Sequence, residues 1–278
     1  MPRMSVVVPA HNEERTIARL LTTLCAQDRA EELEIVVACN GCTDRTADAA
    51  RAVSDRIRVI EIETASKIAA LNAGDAATDL FPRAYVDADT EVSAAALLAL
   101  VEPLSEPGVV LTAAPQMVVV TDGAGLLSRM FHAVWRRTPY VQAGPIGCGV
   151  YALSAAARAR FEDFPPVIAD DLYVERLAGE DDRYIDRTHT FTFHAPRTLD
   201  GLLARLTRAT LGNLQLETVY GMTPGTGTPG SLIADIARRP WLWPSFVAYA
   251  AIRTVAGRRA RRRLAAGEFS WGRDDTTR

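Results

Sequence analysis

Three short stretches of the chain gather polar and acidic groups where an apolar run gives way to a turn. Pro9-Ala-His-Asn-Glu13 follows the Val-rich run from Ser5. Cys39-Asn-Gly-Cys-Thr-Asp44 follows a second run from Leu33, and Asp87-Ala-Asp89 follows a third that ends at Val86. Two carboxylates in one turn suit a hard divalent cation such as Mn2+ or Mg2+, which takes oxygen ligands and keeps positions for substrate phosphates. The same pair also fits a solvated turn with Asp as a helix cap. Asp170 and Asp171 stand side by side at the head of a helical pattern. Mutual repulsion raises the pKa of one, and an ionised partner can take a proton from a hydroxyl. Plain N-capping is the competing reading. Lys67 is the only lysine among 31 basic side chains.

These groups need elements to position them. Residues 5–10, 33–38, 58–62 and 84–86 read as buried strands. Between them, Ile17, Leu20, Leu21 and Leu24 make one apolar helical stripe, with Asn12 as the expected N-cap. Thr43 is expected to cap an Ala-rich helix reaching Val53, and residues 67–76 form a third helix. Alternating strands and helices imply an α/β fold with a parallel, doubly wound sheet, whose strand ends converge on one ligand edge. The second half is less regular. Strands are expected at 109–114, 117–120 and 190–194, and helices at 125–135, 171–178 and 198–219. Gly144–Gly149 reads as a loop, and Gly221–Gly230 as a flexible loop or boundary.

Composition excludes several classes. At 278 residues with 48% hydrophobic and 23% charged side chains, the chain is an ordinary globular sequence. A net charge of -3 gives no global basic field for nucleic acid. No glycine fingerprint of a dinucleotide fold or P-loop follows the first strand. Cys39 and Cys42 lack the second cysteine pair of a zinc site, and Asn40-Gly41 between them reads as a tight turn. Four scattered cysteines fit a reducing compartment. The N-terminus does not read as a signal peptide, and no apolar run is long enough to span a bilayer. The expected location is therefore cytoplasmic.

In this order the pieces resemble a family 2 glycosyltransferase with the GT-A fold, over about residues 4–215. Val6-Val-Val-Pro-Ala-His-Asn-Glu13 resembles the opening strand and loop, and Asn40-Gly-Cys-Thr-Asp44 the Asp-Gly-Ser-Thr-Asp turn. Lys67-x-x-Ala-Leu-Asn-x-Gly74 resembles a family helix, Asp87-Ala-Asp89 the metal-binding Asp-x-Asp, and Asp170-Asp171-Leu the motif that holds the base. The resemblance implies a Rossmann-like, mostly parallel sheet with flanking helices and a C-terminal helical tail. Residues 1–220 would be catalytic, with 1–120 binding the nucleotide sugar and 121–220 the acceptor. Residues 221–278 would be loop and tail.

The resemblance also implies roles. Pro9, His11 and Glu13 line the nucleoside pocket, and Asn40 replaces the family's base-reading Asp. Lys67 and Asn72 lie near the nucleotide. Asp87 faces the ribose or the metal, and Asp89 binds Mn2+ or Mg2+. Asp171 is the catalytic base, with Asp170 as neighbour and backup. Arg208 neutralises the leaving diphosphate, and His194 is a further candidate metal ligand. The implied reaction is inverting, metal-dependent transfer from a nucleotide-diphosphate sugar to the hydroxyl of an unknown acceptor, with a glycan or a lipid-linked molecule as the candidates; Arg205-Leu-Thr-Arg208 lacks the Gln and Trp of the processive members' Gln-x-x-Arg-Trp region, so non-processive transfer is expected. The competing classes are a sugar-phosphate nucleotidyltransferase and a non-catalytic sugar-nucleotide or membrane-binding module.

The tail stands apart. Residues 253–278 have a net charge of +5, which leaves -8 for the rest. Trp241, Trp243, Phe246 and Tyr249 precede the Arg cluster. Over residues 241–263 this reads either as a helix at the inner face of the plasma membrane or as a helix packed on the protein.

Overall fold

The structure, a computed structural model, describes all residues except 2, 27, 107, 109, 180, 224–228 and 269–278. Half of the Gly-rich 221–230 stretch and the last ten residues of the basic tail thus lie outside the described residues. The first half follows the alternation of the sequence. Strands β1 (Met4–Ala10), β2 (Leu33–Asn40), β3 (Arg58–Ile62) and β4 (Arg83–Val86) alternate with helices α1 (Ile17–Cys25), α2 (Thr46–Arg51) and α3 (Lys67–Ala76). β1 runs parallel to β2 and β4, and β2 parallel to β3. All of β1 and β4 is buried, which accounts for runs of Val and Ala rather than alternation.

Four more strands extend the sheet: β5 (Glu91–Val92), β6 (Thr112–Val120), β7 (Val150–Leu153) and β8 (Arg183–His194). The strand order is β3-β2-β1-β4-β7-β6-β8-β5. β7 is antiparallel to β4 and β6, and β5 to β8. The sheet is therefore mixed, parallel on the β3–β4 side and antiparallel beyond it. The remaining helices are α4 (Ala94–Leu98), α5 (Val101–Ser105), α6 (Leu126–Trp135), α7 (Pro139–Ala143), α8 (Ala155–Arg158), α9 (Asp170–Ala178), α10 (Leu199–Thr218), α11 (Pro229–Ala237) and α12 (Trp243–Ala265).

Local chemistry moves three expected boundaries. Asn12 does not cap α1: its side-chain oxygen accepts the Thr43 amide at 2.7 Å, and the helix opens at Ile17, whose N–H donates to the Glu13 carbonyl. α2 is held by Asp44 rather than Thr43, since Asp44 Oδ1 accepts the Thr46 amide at 3.0 Å. The two strands expected at 109–120 are one, β6, running through Pro115, which lies past its two register pairs with β7. Proline costs nothing where no ladder N–H is needed.

The described residues divide into two compact units. The first takes in 1–118, 146–166 and 170–193, and the second 119–145, 167–169 and 194–278, so the second includes chain on both sides of residue 220. In the first unit α3 lies close on β1. A Cβ at Gly74 would stand 2.3 Å from Val7 Cγ1, which is why the Lys67-to-Gly74 pattern ends in glycine. Asp75, on the same helix, is buried and accepts from Arg83 at 2.6 Å, Tyr85 Oη at 2.7 Å and Arg158 at 2.6 Å. A buried carboxylate persists only with such partners. In the second unit α6, α10 and α12 close a core of Phe131, Val134, Leu202, Tyr249 and Ile252.

Candidate active site

The parallel pairing places the turns after β1 and β2 side by side. His11 Nδ1 donates to the Asn40 carbonyl at 2.5 Å, and Glu14 pairs with Arg45 at 3.1 Å. Pro9 is the last residue but one of β1, opposite Ala38. Glu13 is buried, its carboxylate accepting the Thr16 hydroxyl at 2.5 Å. Asn40 is buried at the end of β2 and its amide nitrogen donates to the Ala10 carbonyl at 2.9 Å. One of its two N–H donors is thus engaged.

Lys67 joins the two groups of carboxylates. It is the first residue of α3, behind the Ser66 N-cap. Its Nζ lies 2.8 Å from Asp87 Oδ1 and 2.9 Å from Asp170 Oδ1. The turn after β4 and the head of α9 are thus tied through one cation. Burial alone would discharge this amine, but Asp170, Asp87 and Asp171 outweigh it and raise its pKa. Asp170 is buried, and its second oxygen accepts the Tyr151 hydroxyl at 2.9 Å. Tyr151 lies opposite Tyr85 in the β4–β7 register and stacks on it at 4.9 Å between centroids. Burial and then Asp170 hold the Tyr151 phenol well above its usual pKa, so it stays a donor.

Asp171 is less enclosed. Its Oδ2 accepts the Cys148 amide at 3.1 Å and its Oδ1 the Leu172 amide at 2.7 Å. Burial and then the charge of Asp170 raise its pKa, against the pull of Lys67 and the two amides. The Gly147–Gly149 segment is shaped around it. Gly147, Cys148 and Gly149 all have positive φ, and a Cβ at Gly147 would stand 2.4 Å from the Asp171 side chain. The Gly149 carbonyl accepts the Asp87 amide at 2.8 Å, which fixes the Asp-Ala-Asp turn against the same loop.

Asp89 is half-buried, and no hydrogen bond or ion pair engages its carboxylate among the described residues. No group of three or more His, Cys, Asp or Glu converges as a metal cluster among them. Two carboxylates with the other positions left to phosphate and water fit a Mn2+ or Mg2+ ion. Asn72, expected near the nucleotide, meets the Phe164 main chain with both ends of its amide, donating from its nitrogen at 3.2 Å and accepting at its oxygen at 2.8 Å. It latches α3 to that loop. His194, at the end of β8, and Arg208, on α10, belong to the second unit. Sequence reasoning missed Tyr151 and read Gly144–Gly149 only as a loop. Three glycines in six residues were the available sign of a close backbone approach.

Comparison with known proteins fixes the family. Residues 5–157 match glycosyl transferase family 2, more than half of the chain. The chain belongs to that family. Asp170, Asp171, His194 and Arg208 lie beyond the matched stretch. A curated relative, validoxylamine A glucosyltransferase of Streptomyces hygroscopicus subsp. limoneus, is 42% identical over 60 residues, which is 21% of this chain and only 13% of the relative. Among solved structures, a mannosyltransferase from Pyrobaculum calidifontis in complex with GDP-Man and Mn2+ aligns with a TM-score of 0.62 at 24% identity, over 96% of this chain and 79% of that one. Glucosyl-3-phosphoglycerate synthase from Mycobacterium tuberculosis, in complex with Mn2+, UDP-Glc and phosphoglyceric acid, aligns at 0.54 and 23% identity, over 81% of each chain. The fold of this family 2 chain is that of these GT-A glycosyltransferases.

Proposed function

We propose that the protein is an inverting, non-processive glycosyltransferase that moves a sugar from a nucleoside-diphosphate sugar to an acceptor hydroxyl. The observation that supports this best is the Lys67 bridge, 2.8 Å to Asp87 and 2.9 Å to Asp170. It sets the donor-side turn and the base-side helix at one point. Asp171 deprotonates the attacking hydroxyl. Its raised pKa favours proton uptake, and Cys148 and Leu172 hold its orientation. Asp170, paired with Lys67 and accepting from the Tyr151 hydroxyl, has both oxygens engaged and keeps Asp171 placed rather than serving as base itself.

Asp89 and Asp87 would hold a Mn2+ or Mg2+ ion. Such an ion offsets the negative charge of a diphosphate. Asn40 spends one N–H on Ala10, and its amide oxygen would accept from a base as the oxygen of an Asp does. That favours a base with a ring N–H, such as uracil or guanine.

The test is binding. A ligand that binds only the folded state raises its melting point. UDP or GDP is expected to raise it in the presence of Mn2+, and CDP and ADP to raise it less. Asp89→Ala should remove the Mn2+-dependent part. No shift with any nucleotide, or a Mn2+ response that survives in the variant, would overturn the reading.

A further inference from the structure

Thirteen large apolar side chains are exposed among the described residues, and ten of them lie in the second unit. Exposed apolar residues scattered singly mean little, but a concentration marks a surface with a partner. Helix α12 carries three of the ten, Trp243, Val247 and Val255. Tyr249, Ile252, Ala256 and Ala260 form its buried stripe, so one face is packed, as the packed reading of the tail expected. The opposite stripe, at the same helical spacing, runs Trp243, Val247, Ala250, Thr254, Arg258, Arg261, and every one of these is exposed. Its first half is apolar and its second half cationic. Trp241, just ahead of the helix, is 69% exposed and Val247 68%. The 23 residues of α12 hold six Arg and no acidic side chain.

We propose that this outer face of α12 docks on an anionic lipid surface. The Trp and Val end fits the headgroup–acyl boundary, and the Arg end fits phosphate, which guanidinium binds in bidentate fashion. Arginine near a helix C-terminus also complements the helix dipole, but that effect fades beyond the last turn. It does not reach Arg253 or Arg258 and says nothing of the exposed Trp. A second copy is a poorer occupant. An isologous contact would set this face on itself, with no acidic group on the helix to neutralise the arginines. No helix among the described residues is long and apolar enough to cross a membrane, so the contact is one of docking. The proposal does not depend on the transferase reading.

Flotation of the full chain with vesicles tests it. Vesicles of phosphatidylcholine with about 30 mol% phosphatidylglycerol are expected to carry the protein up, pure phosphatidylcholine to leave it behind, and about 0.5 M salt to weaken the anionic binding. Two variants divide the surface: Trp241→Ser with Val247→Ser, and Arg258→Gln with Arg261→Gln and Arg262→Gln. Each should lower binding about tenfold or more with an unchanged melting point. Failure of the wild type to float, equal flotation on both vesicle types, or variants of unchanged melting point that float like the wild type would overturn the proposal. So would a lipid-free dimer that the Trp241 and Val247 changes abolish, which would assign the face to a second copy. The lipid contrast on the wild type keeps the test valid should a variant fold poorly.

Discussion

Asp171→Asn is expected to lower sugar transfer by about two decades or more while leaving nucleotide binding near wild type, the usual worth of a positioned general base. The substitution keeps the shape of the side chain, and its oxygen can still accept one of the two main-chain amides that now meet Asp171. What it removes is the capacity to take a proton. Burial and the charge of Asp170 raise the Asp171 pKa above the ordinary carboxylate value. Below that pKa the base is already protonated, so the wild-type rate should rise with pH along a limb displaced above the usual carboxylate range. The residual rate of the Asn variant should lack this limb. Linkage gives a second sign. A carboxyl whose folded pKa is raised contributes stability at low pH that is lost as pH rises through the folded value. Asp171 thus costs stability under the conditions in which it works. Equal rates for both proteins, or the same acid limb in both, would remove Asp171 from the chemistry.

Lys67→Met should be the most damaging change to stability among the site residues. Nζ lies between Asp87 and Asp170, and the Asp170 side chain is 3% exposed against 38% for Asp87. Water can compensate Asp87 in large part, so most of the loss falls on Asp170. Removing one partner of a buried pair costs about 3–5 kcal/mol, because the other charge stays behind. For a chain of this size each kcal/mol is worth about 2–4 °C of melting temperature. In the variant Asp171 would also lose the pull of Lys67 that now opposes the rise of its pKa. The variant's deficit should therefore be largest at neutral pH and shrink on acidification, a slope opposite to ordinary acid denaturation. Melting curves from pH 5 to 8 read this directly. A variant as stable as wild type at neutral pH would mean that the bridge does not hold the site together.

Much of this was legible in the sequence, for identifiable reasons. Residues 58–62 and 67–76 stand as expected because an apolar run between breakers and a Ser-capped helix are determined locally. That the turns after β1, β2 and β4 leave the sheet at one edge follows from parallel strands alone. The antiparallel half was harder to read. β8 begins at Arg183, seven residues before the expected strand, through alternating polar residues that no apolar run announces. Tyr151 carries no motif. Its place under Asp170 depends on the β4–β7 register, which is set by contacts distant in sequence. Asn12 shows the reverse error: a residue type suited to capping satisfied a neighbouring loop instead.

In the proposed mechanism, a hydroxyl deprotonated at Asp171 would attack the anomeric carbon from the face opposite the diphosphate, so one displacement would invert the centre. Proton NMR of the glycoside formed from whichever nucleotide sugar binds in the melting screen reads that configuration, which the new glycosidic bond locks. An inverted anomer is the expected result; a retained one would contradict a mechanism with Asp171 as base.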